Sequence, residues 1–378
     1  MRAGLGARLV GLSLVLLGCP STREQAGEGS PSRASKQAED TPSVAKRALS
    51  EEQQAAAELI RPDGTIFAET ELMGTRVSVN VWLGEERSRA LAAKGAMTAA
   101  IEEMARIEDI ASEWQASSDL SRINASSGEP VEVPPELLEI LARAAEVSAA
   151  SEGLFDVSFY SVGRLWSFRP GAKPPSAEAI AAALPAVDWR AIELDRERNT
   201  VRLTKPGVGI GLGAIAKGYA VDRAAAKLHE AGFDNHIVEA GGDTKVSGSK
   251  GETSWRVGVQ DPERDAGQVG YIPVRNEAVV TSGNYKRFFD WEGVRYTHIL
   301  DPRTGWPIPV ERSPKSVTLV AANATDADAY CTAVSVMPPE EGLKFVDARE
   351  GLEAVIIAPD GRLLVSAGLE ERFVEIAP

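Results

Sequence analysis

A run of alternating glycines leads directly into a helix at the centre of the chain. Gly209-Ile210-Gly211-Leu212-Gly213-Ala214-Ile215-Ala216-Lys217-Gly218-Tyr219 reads as a short strand over Gly209–Leu212, then a helix over Ile215–Ala231 that Gly232 stops. Such a junction must let backbone come close to something, either a neighbouring element or a ligand. Helix N-termini present free N–H groups and a positive dipole end suited to phosphate. Lys217, in the first turn, adds a point charge. The spacing is neither a Gly-x-Gly-x-x-Gly dinucleotide fingerprint nor a P-loop. Two readings stay open on these residues: an anion site, or a glycine-rich turn required for close strand–helix packing.

The elements around this junction do not follow a strict βαβ rhythm. Val77, Val79, Val81 and Leu83 alternate along a half-buried strand, Thr75–Leu83. A long helix follows over Ala90–Trp114, with Met97, Ile101 and Met104 on one line and Ile107 beside it. Pro134 and Pro135 open a second helix, which Gly153 ends. Beyond His236–Glu239 and Gly241-Gly242-Asp243 the pattern is mostly strands: Arg256–Gln260, Tyr271–Val274, Val279–Ser282 and Ser316–Ala321. Two hairpins stand among them, one turning at Glu292-Gly293 and one at Pro359–Arg362. Helices are expected over Asp326–Val336 and Pro339–Arg349. The expectation is an α+β fold with mixed, largely antiparallel sheets flanked by helices.

Three domains of sequence are distinguishable. Residues 1–19 carry Arg2 and Arg8, an apolar run Leu9–Leu17, and Gly18-Cys19. The run is too short to span a bilayer and has the parts of a secretory signal peptide. Its end, Leu16-Leu17-Gly18-Cys19, resembles the lipobox of bacterial lipoproteins, in which the cysteine is acylated. Residues 20–62 begin as a polar, aromatic-free tether up to Ser50, with a short helix expected over Ser50–Leu59. Residues 63–378 form the folded domain. Its surroundings are constrained by charge: 41 basic against 55 acidic residues give −14, which argues against a general nucleic-acid binder. Two cysteines and three histidines exclude a disulfide scaffold and make a cysteine- or histidine-rich metal site improbable.

Two further constellations are chemical candidates. Asp328 and Thr332, four apart, share a helical face, and a carboxylate with a hydroxyl is ligation that magnesium accepts. The alternative is that Asp328 caps the helix and Thr332 packs internally. His298 stands at a strand end before Asp301-Pro302-Arg303-Thr304-Gly305, where it can act as a general base or be structural. Thr281-Ser282-Gly283-Asn284-Tyr285 looks like a strand end whose backbone is free to touch a ligand.

Taken in order, these segments resemble the ApbE family of FAD:protein FMN transferases. The resemblance runs through Met73-Gly74-Thr75, Asp119–Asn124, Gly153–Val157, Gly213–Asp222, Gly241-Gly242-Asp243, Thr281-Ser282-Gly283, His298–Gly305 and Asp328–Thr332. It implies that FAD is bound with Mg²⁺ on its pyrophosphate. A Thr or Ser hydroxyl of a target protein attacks the FMN phosphorus, and AMP leaves. The metal ligands it implies are the Ala214 carbonyl, Asp328 and Thr332. FAD contacts fall at Met73, Leu154, Phe155, Asp156, Lys217 and Leu300, and catalysis at His298 and Asp328. Two positions depart from some relatives: Gly211 stands where they carry an aspartate, and Cys331 where they carry an acidic residue. The magnesium shell is then expected to rely more on water and phosphate.

The partners implied are FAD, a target protein and, through Cys19, a membrane, which places the domain in the cell envelope on the extracytoplasmic face. Nucleic acid is not among them. Rival functions are hydrolysis of FAD to FMN and AMP at the same site, and a non-catalytic FAD-binding lipoprotein. The intact Asp328/Thr332 pair speaks against the latter.

Overall fold

The computed structural model describes residues 58–169, 171–264 and 267–376. Its central sheet has eight strands, antiparallel throughout. In spatial order they are Thr65–Leu72, Thr75–Trp82, His236–Ala240, Asp243–Ser247, Ala278–Gly283, Ser316–Ala321, Glu353–Ile357 and Leu363–Val365. Three inner strands read as continuous apolar runs because both faces of the sheet are covered there. In Ser316–Ala321, Val317 and Leu319 enter the main core while Val320 faces a second core on the other side. Ala278 and Val280 against Val279, and Ala354 and Ile356 against Val355, repeat the alternation.

One face is covered by helices. Ala90–Ala111 contributes Met97, Met104 and Ile107, Ala216–Glu230 contributes Ala220, Val221 and Leu228, and Ala324–Ser335 contributes Ala327 and Cys331. The other face takes a three-stranded sheet of Trp255–Gln260, Gln268–Val274 and Val374–Glu375, through Trp255, Val259, Ile272 and Val274. The α+β architecture with largely antiparallel sheets is therefore the one expected.

Several elements differ from expectation, each for a local reason. Residues 209–212 form no strand and, among the described residues, belong to no ladder. Their polar groups are satisfied from the side: the Asn124 carboxamide accepts from Ile210 N–H at 2.7 Å and donates to its carbonyl at 2.8 Å. Gly211 N–H reaches the Val157 carbonyl at 2.9 Å, and Gly209 N–H the Ser161 hydroxyl at 2.9 Å. A side-chain amide thus does the work of a strand edge. The long helix ends at Ala111, three residues early, because Ser112 turns extended and its carbonyl accepts the Ser118 hydroxyl at 2.6 Å. The helix expected from Asp326 begins at Ala324, capped by Asn323, whose side chain accepts from Asp326 N–H. The strands Thr65–Leu72 and Val374–Glu375 had no alternating apolar signal, since each lies at a sheet edge and is partly exposed.

The hairpin Phe288–Trp291/Val294–Thr297 turns at Glu292-Gly293, both at positive φ, the geometry of a tight two-residue turn. It stands apart from the main sheet and packs Phe289, Trp291 and Tyr296 against Trp166, Phe168 and Trp306. This aromatic cluster fixes the strand end that carries His298.

Candidate active site

The site is built where two helices touch. Gly218 allows the contact: a Cβ there would stand 2.2 Å from the Ala324 carbonyl oxygen and 2.9 Å from Asp328 Cβ. Asp222, one turn on, ties the helices by accepting from Ala324 N–H at 2.8 Å, Thr325 N–H at 2.9 Å and the Thr325 hydroxyl at 2.6 Å. The Lys-Gly-Tyr-Ala-Val-Asp segment is thus a clasp between two helices, rather than the strand–helix packing expected of the glycine-rich turn. It aims Asp328, 3% exposed, at the start of the Ala216–Glu230 helix. Asp328 is not a helix cap.

Gly218 N–H donates to Asp328 Oδ2 at 3.2 Å. Among the described residues no backbone hydrogen bond reaches the Ala214 carbonyl, the acceptor four residues back in an uninterrupted helix. Lys217 Nζ lies 2.5 Å from Asp243 Oδ2 and 3.4 Å from Asp328 Oδ2. Burial pulls the Lys217 ammonium down, but the two carboxylates outweigh it and hold its pKa above the ordinary lysine value. Burial and the Asp243 charge push Asp328 above the usual carboxylate range. Two carboxylates and one ammonium leave the cluster short of positive charge.

Ala214, Lys217, Asp243, Asp328 and Thr332 line one cleft of about 410 Å³. Its other walls come from Leu154–Val157, Phe159, Tyr160, Gly211, Thr281–Gly283, Lys286, Arg287 and His298–Leu300. The Ala214 carbonyl, the second Asp328 oxygen and the Thr332 hydroxyl make no hydrogen bond within the protein among the described residues. They form an all-oxygen donor set of the hard kind that magnesium accepts. The same residues include no group of three or more His, Cys, Asp or Glu disposed for a metal, so such an ion would keep positions for water and substrate oxygens.

His298 faces the same cleft. Its Nδ1 lies 3.1 Å from the Arg287 carbonyl. A carbonyl only accepts, so Nδ1 carries the hydrogen and Nε2 keeps its lone pair. Burial, with Arg287 and Lys286 nearby, lowers the imidazole pKa to about 4, so it is neutral at pH 7. Asp301 and Arg303 pair with each other, Oδ2 to Nη2 at 2.8 Å, and close the turn that follows.

The remaining candidates divide. Leu154, Phe155, Asp156 and Leu300 line the cleft. The Asp156 carboxylate is used in the fold, accepting from Ser158 N–H and hydroxyl and from Trp189 N–H. Met73 is not among the cleft-lining residues. It sits at φ 53° in the turn between the first two strands and packs against the main core. At Gly211 a Cβ would stand 3.0 Å from Tyr160 Cβ, so Tyr160 occupies the space a side chain would need. Cys331 turns into the core with its thiol toward the Val317 carbonyl at 3.2 Å, and burial pushes its pKa up to about 12. That position supplies nothing to the cleft. Cys19 lies outside the described residues.

Sequence reasoning missed Glu113 and Tyr160. The sequence pattern places Glu113 in the long helix, and only the early end at Ala111 turns it into the cleft wall. Its carboxyl is pushed up by burial, with Leu212 N–H facing it. Asp243 appeared only as part of a motif; a polar residue straight after Gly241-Gly242 was the available signal.

The ApbE family model matches residues 73–356. An FAD:protein FMN transferase of Rhodobacter capsulatus is 36% identical over 269 residues, covering 69% of this chain and 50% of its own length. This chain thus spans about half of that relative. One of Treponema pallidum is 35% identical, covering 68% of this chain and 75% of its own. Among solved structures, an ApbE protein of Thermotoga maritima superposes with a TM-score of 0.73 at 33% identity, covering 83% of this chain and 100% of that one. The flavin transferase ApbE of Vibrio cholerae gives 0.70 at 27%, covering 82% and 99%. The matched segment contains the helix clasp, the glycine turn before Asp243 and His298, so architecture and sequence agree: the chain belongs to the ApbE family.

Proposed function

We propose that this chain transfers the FMN moiety of FAD to a Thr or Ser hydroxyl of a target protein. The observation that carries the reading is the convergence in one cleft of unpartnered oxygens from Ala214, Asp328 and Thr332 with the Lys217 ammonium and a neutral His298. Phosphoryl transfer requires charge neutralisation and in-line positioning more than a potent nucleophile.

Ala214, Asp328 and Thr332 would hold Mg²⁺. Bound there, it neutralises pyrophosphate charge and polarises the phosphorus. Lys217 donates N–H to a phosphate oxygen. His298 Nε2 takes the acceptor proton as the new O–P bond forms and the bridging P–O bond to AMP breaks. AMP leaves with that electron pair, and the proton passes from His298 to solvent. The hairpin and its aromatic cluster keep the imidazole in place.

Incubation with FAD, Mg²⁺ and candidate acceptors should give a fluorescent band on a denaturing gel and one AMP per flavin attached. Free FMN released at the same rate without any acceptor would instead establish hydrolysis.

We also read Cys19 as a lipid anchor that holds the domain on the extracytoplasmic face of a membrane, with residues 20–62 as its tether. The Leu-Leu-Gly-Cys sequence supports this. Among the described residues no helix is long and apolar enough to cross a membrane.

A further inference from the structure

The geometry points to Asp243 as a positioning residue that holds the Lys217 ammonium off Asp328 and so keeps Asp328 open to a divalent cation. The inference rests on the metal reading of Asp328 given above.

Asp243 is 3% exposed and begins a strand. The two-residue turn Gly241-Gly242, at φ 62° and 112°, places it opposite Ala240 on one side and Val280 on the other. A Cβ on Gly241 would lie 2.4 Å from the Thr75 hydroxyl oxygen, so the turn is seated firmly against its neighbour. The carboxylate is thus fixed by the sheet, whereas Lys217 has a long flexible stem. The ammonium takes the closer partner: 2.5 Å to Asp243 against 3.4 Å to Asp328. Both hydrogen bonds that Asp328 accepts, from Lys217 and from Gly218 N–H, fall on Oδ2. Among the described residues no N–H or O–H donor is hydrogen-bonded to Oδ1.

Without the Asp243 charge, the ammonium has one carboxylate left. It would close on Asp328, and a lysine–aspartate pair in a desolvated site competes directly with a divalent ion for the same oxygens. The role is indirect: Asp243 acts by where it keeps Lys217. That gives a sign test which a direct metal ligand fails.

Mn²⁺ binding to the full chain, alone and with ADP present, is measured by electron paramagnetic resonance for wild type, Asp243→Asn, Lys217→Met and the double variant, with thermal midpoints alongside. Asp243→Asn is expected to weaken Mn²⁺ at least tenfold. Lys217→Met is expected to bind Mn²⁺ more tightly than wild type, since the competing cation is gone. In the Lys217→Met background the Asp243→Asn change is expected to matter less than threefold. Equal tenfold losses in both backgrounds would make Asp243 a ligand or a fold determinant and overturn the inference. No loss in either background would overturn it too. Should Asp243→Asn fail to fold, Asp243→Ser supplies the same comparison. Asp328→Ala is the control: if it binds Mn²⁺ like wild type, the metal reading itself has failed.

Discussion

At the scale of single residues, the histidine and the aspartate make opposite demands on protonation. Burial holds His298 near a pKa of about 4, so its Nε2 stays available well below neutrality. Single-turnover transfer at saturating Mg²⁺ is therefore expected to show no loss centred at pH 6.5, where an ordinary histidine titrates. Such a loss, absent from a His298→Asn variant, would show that the imidazole is not held low. His298→Ala is expected to slow transfer by about 10²–10⁴ with FAD affinity nearly unchanged, as for removal of a general base. Loss of FAD binding in that variant would make His298 a pocket residue. Asp328→Ala is expected to abolish transfer while the chain stays folded, because one Oδ2 partner, Lys217, lies at the cleft and the loss inside the fold is the single Gly218 N–H bond. Full turnover of the variant, or of wild type in excess chelator, would refute the metal role. Lys217 and His298 stand out in the sequence because polar groups beside glycines or at element ends are chemically conspicuous, and Asp328 because Thr332 follows it four residues on along one helical face. Glu113 did not, because its place depends on Ser112 leaving the helix, and that is decided by Ser118 six residues away.

At the scale of elements, apolar periodicity identified the buried pieces and missed those held by side chains. The Ala90 and Ala216 helices and the double-faced strands bury enough apolar surface to announce themselves. Residues 209–212 looked like a strand because Ile210 and Leu212 alternate with glycine, and both are fully buried. Among the described residues this segment has no partner strand; Asn124, 86 positions away, takes its place. A long-range side-chain bond of this kind has no local sequence signature. Asn124→Ala is expected to leave Ile210 N–H and its carbonyl unpaired, at about 1–3 kcal/mol for each buried group. The measurement is urea unfolding, together with FAD affinity, since Gly211 of this segment lines the cleft. A variant as stable as wild type would mean that water replaces the amide. Gly218→Ala tests the helix clasp. Its Cβ would meet backbone at Ala324, so the helices must separate, and Asp328 moves with them. Transfer is expected to fall more than FAD affinity, because the pocket walls from Leu154–Val157, Phe159 and Tyr160 are untouched.

At the scale of the whole molecule, one fully buried histidine and one half-buried in the cleft wall set an acid limit on the fold. His236 is fully buried, with Nδ1 2.6 Å from the Phe233 carbonyl and Nε2 without a partner. Burial lowers its pKa to about 4, as it does for His298. The unfolded chain takes up these protons near pH 6.5, the folded chain only near pH 4. Between those values the unfolded state binds more protons, so stability falls as pH falls, by up to about 1.4 kcal/mol per pH unit for each group. Asp328 has the opposite sign: its raised pKa means the folded state binds the extra proton, and it offsets part of the loss. His236 lies on the second strand's neighbour, paired with Val81, far in sequence from the chemistry, so it can be changed without touching the cleft-lining set. His236→Asn is expected to lower the thermal midpoint at pH 7.5 modestly, since an amide replaces a packed ring. Its midpoint should then decline less steeply than wild type between pH 6.5 and 4.5. The two curves converge toward acid if His236 is the group that must charge. Parallel curves would assign the acid sensitivity elsewhere, and His298→Asn, measured over the same range, would show whether the cleft imidazole carries it.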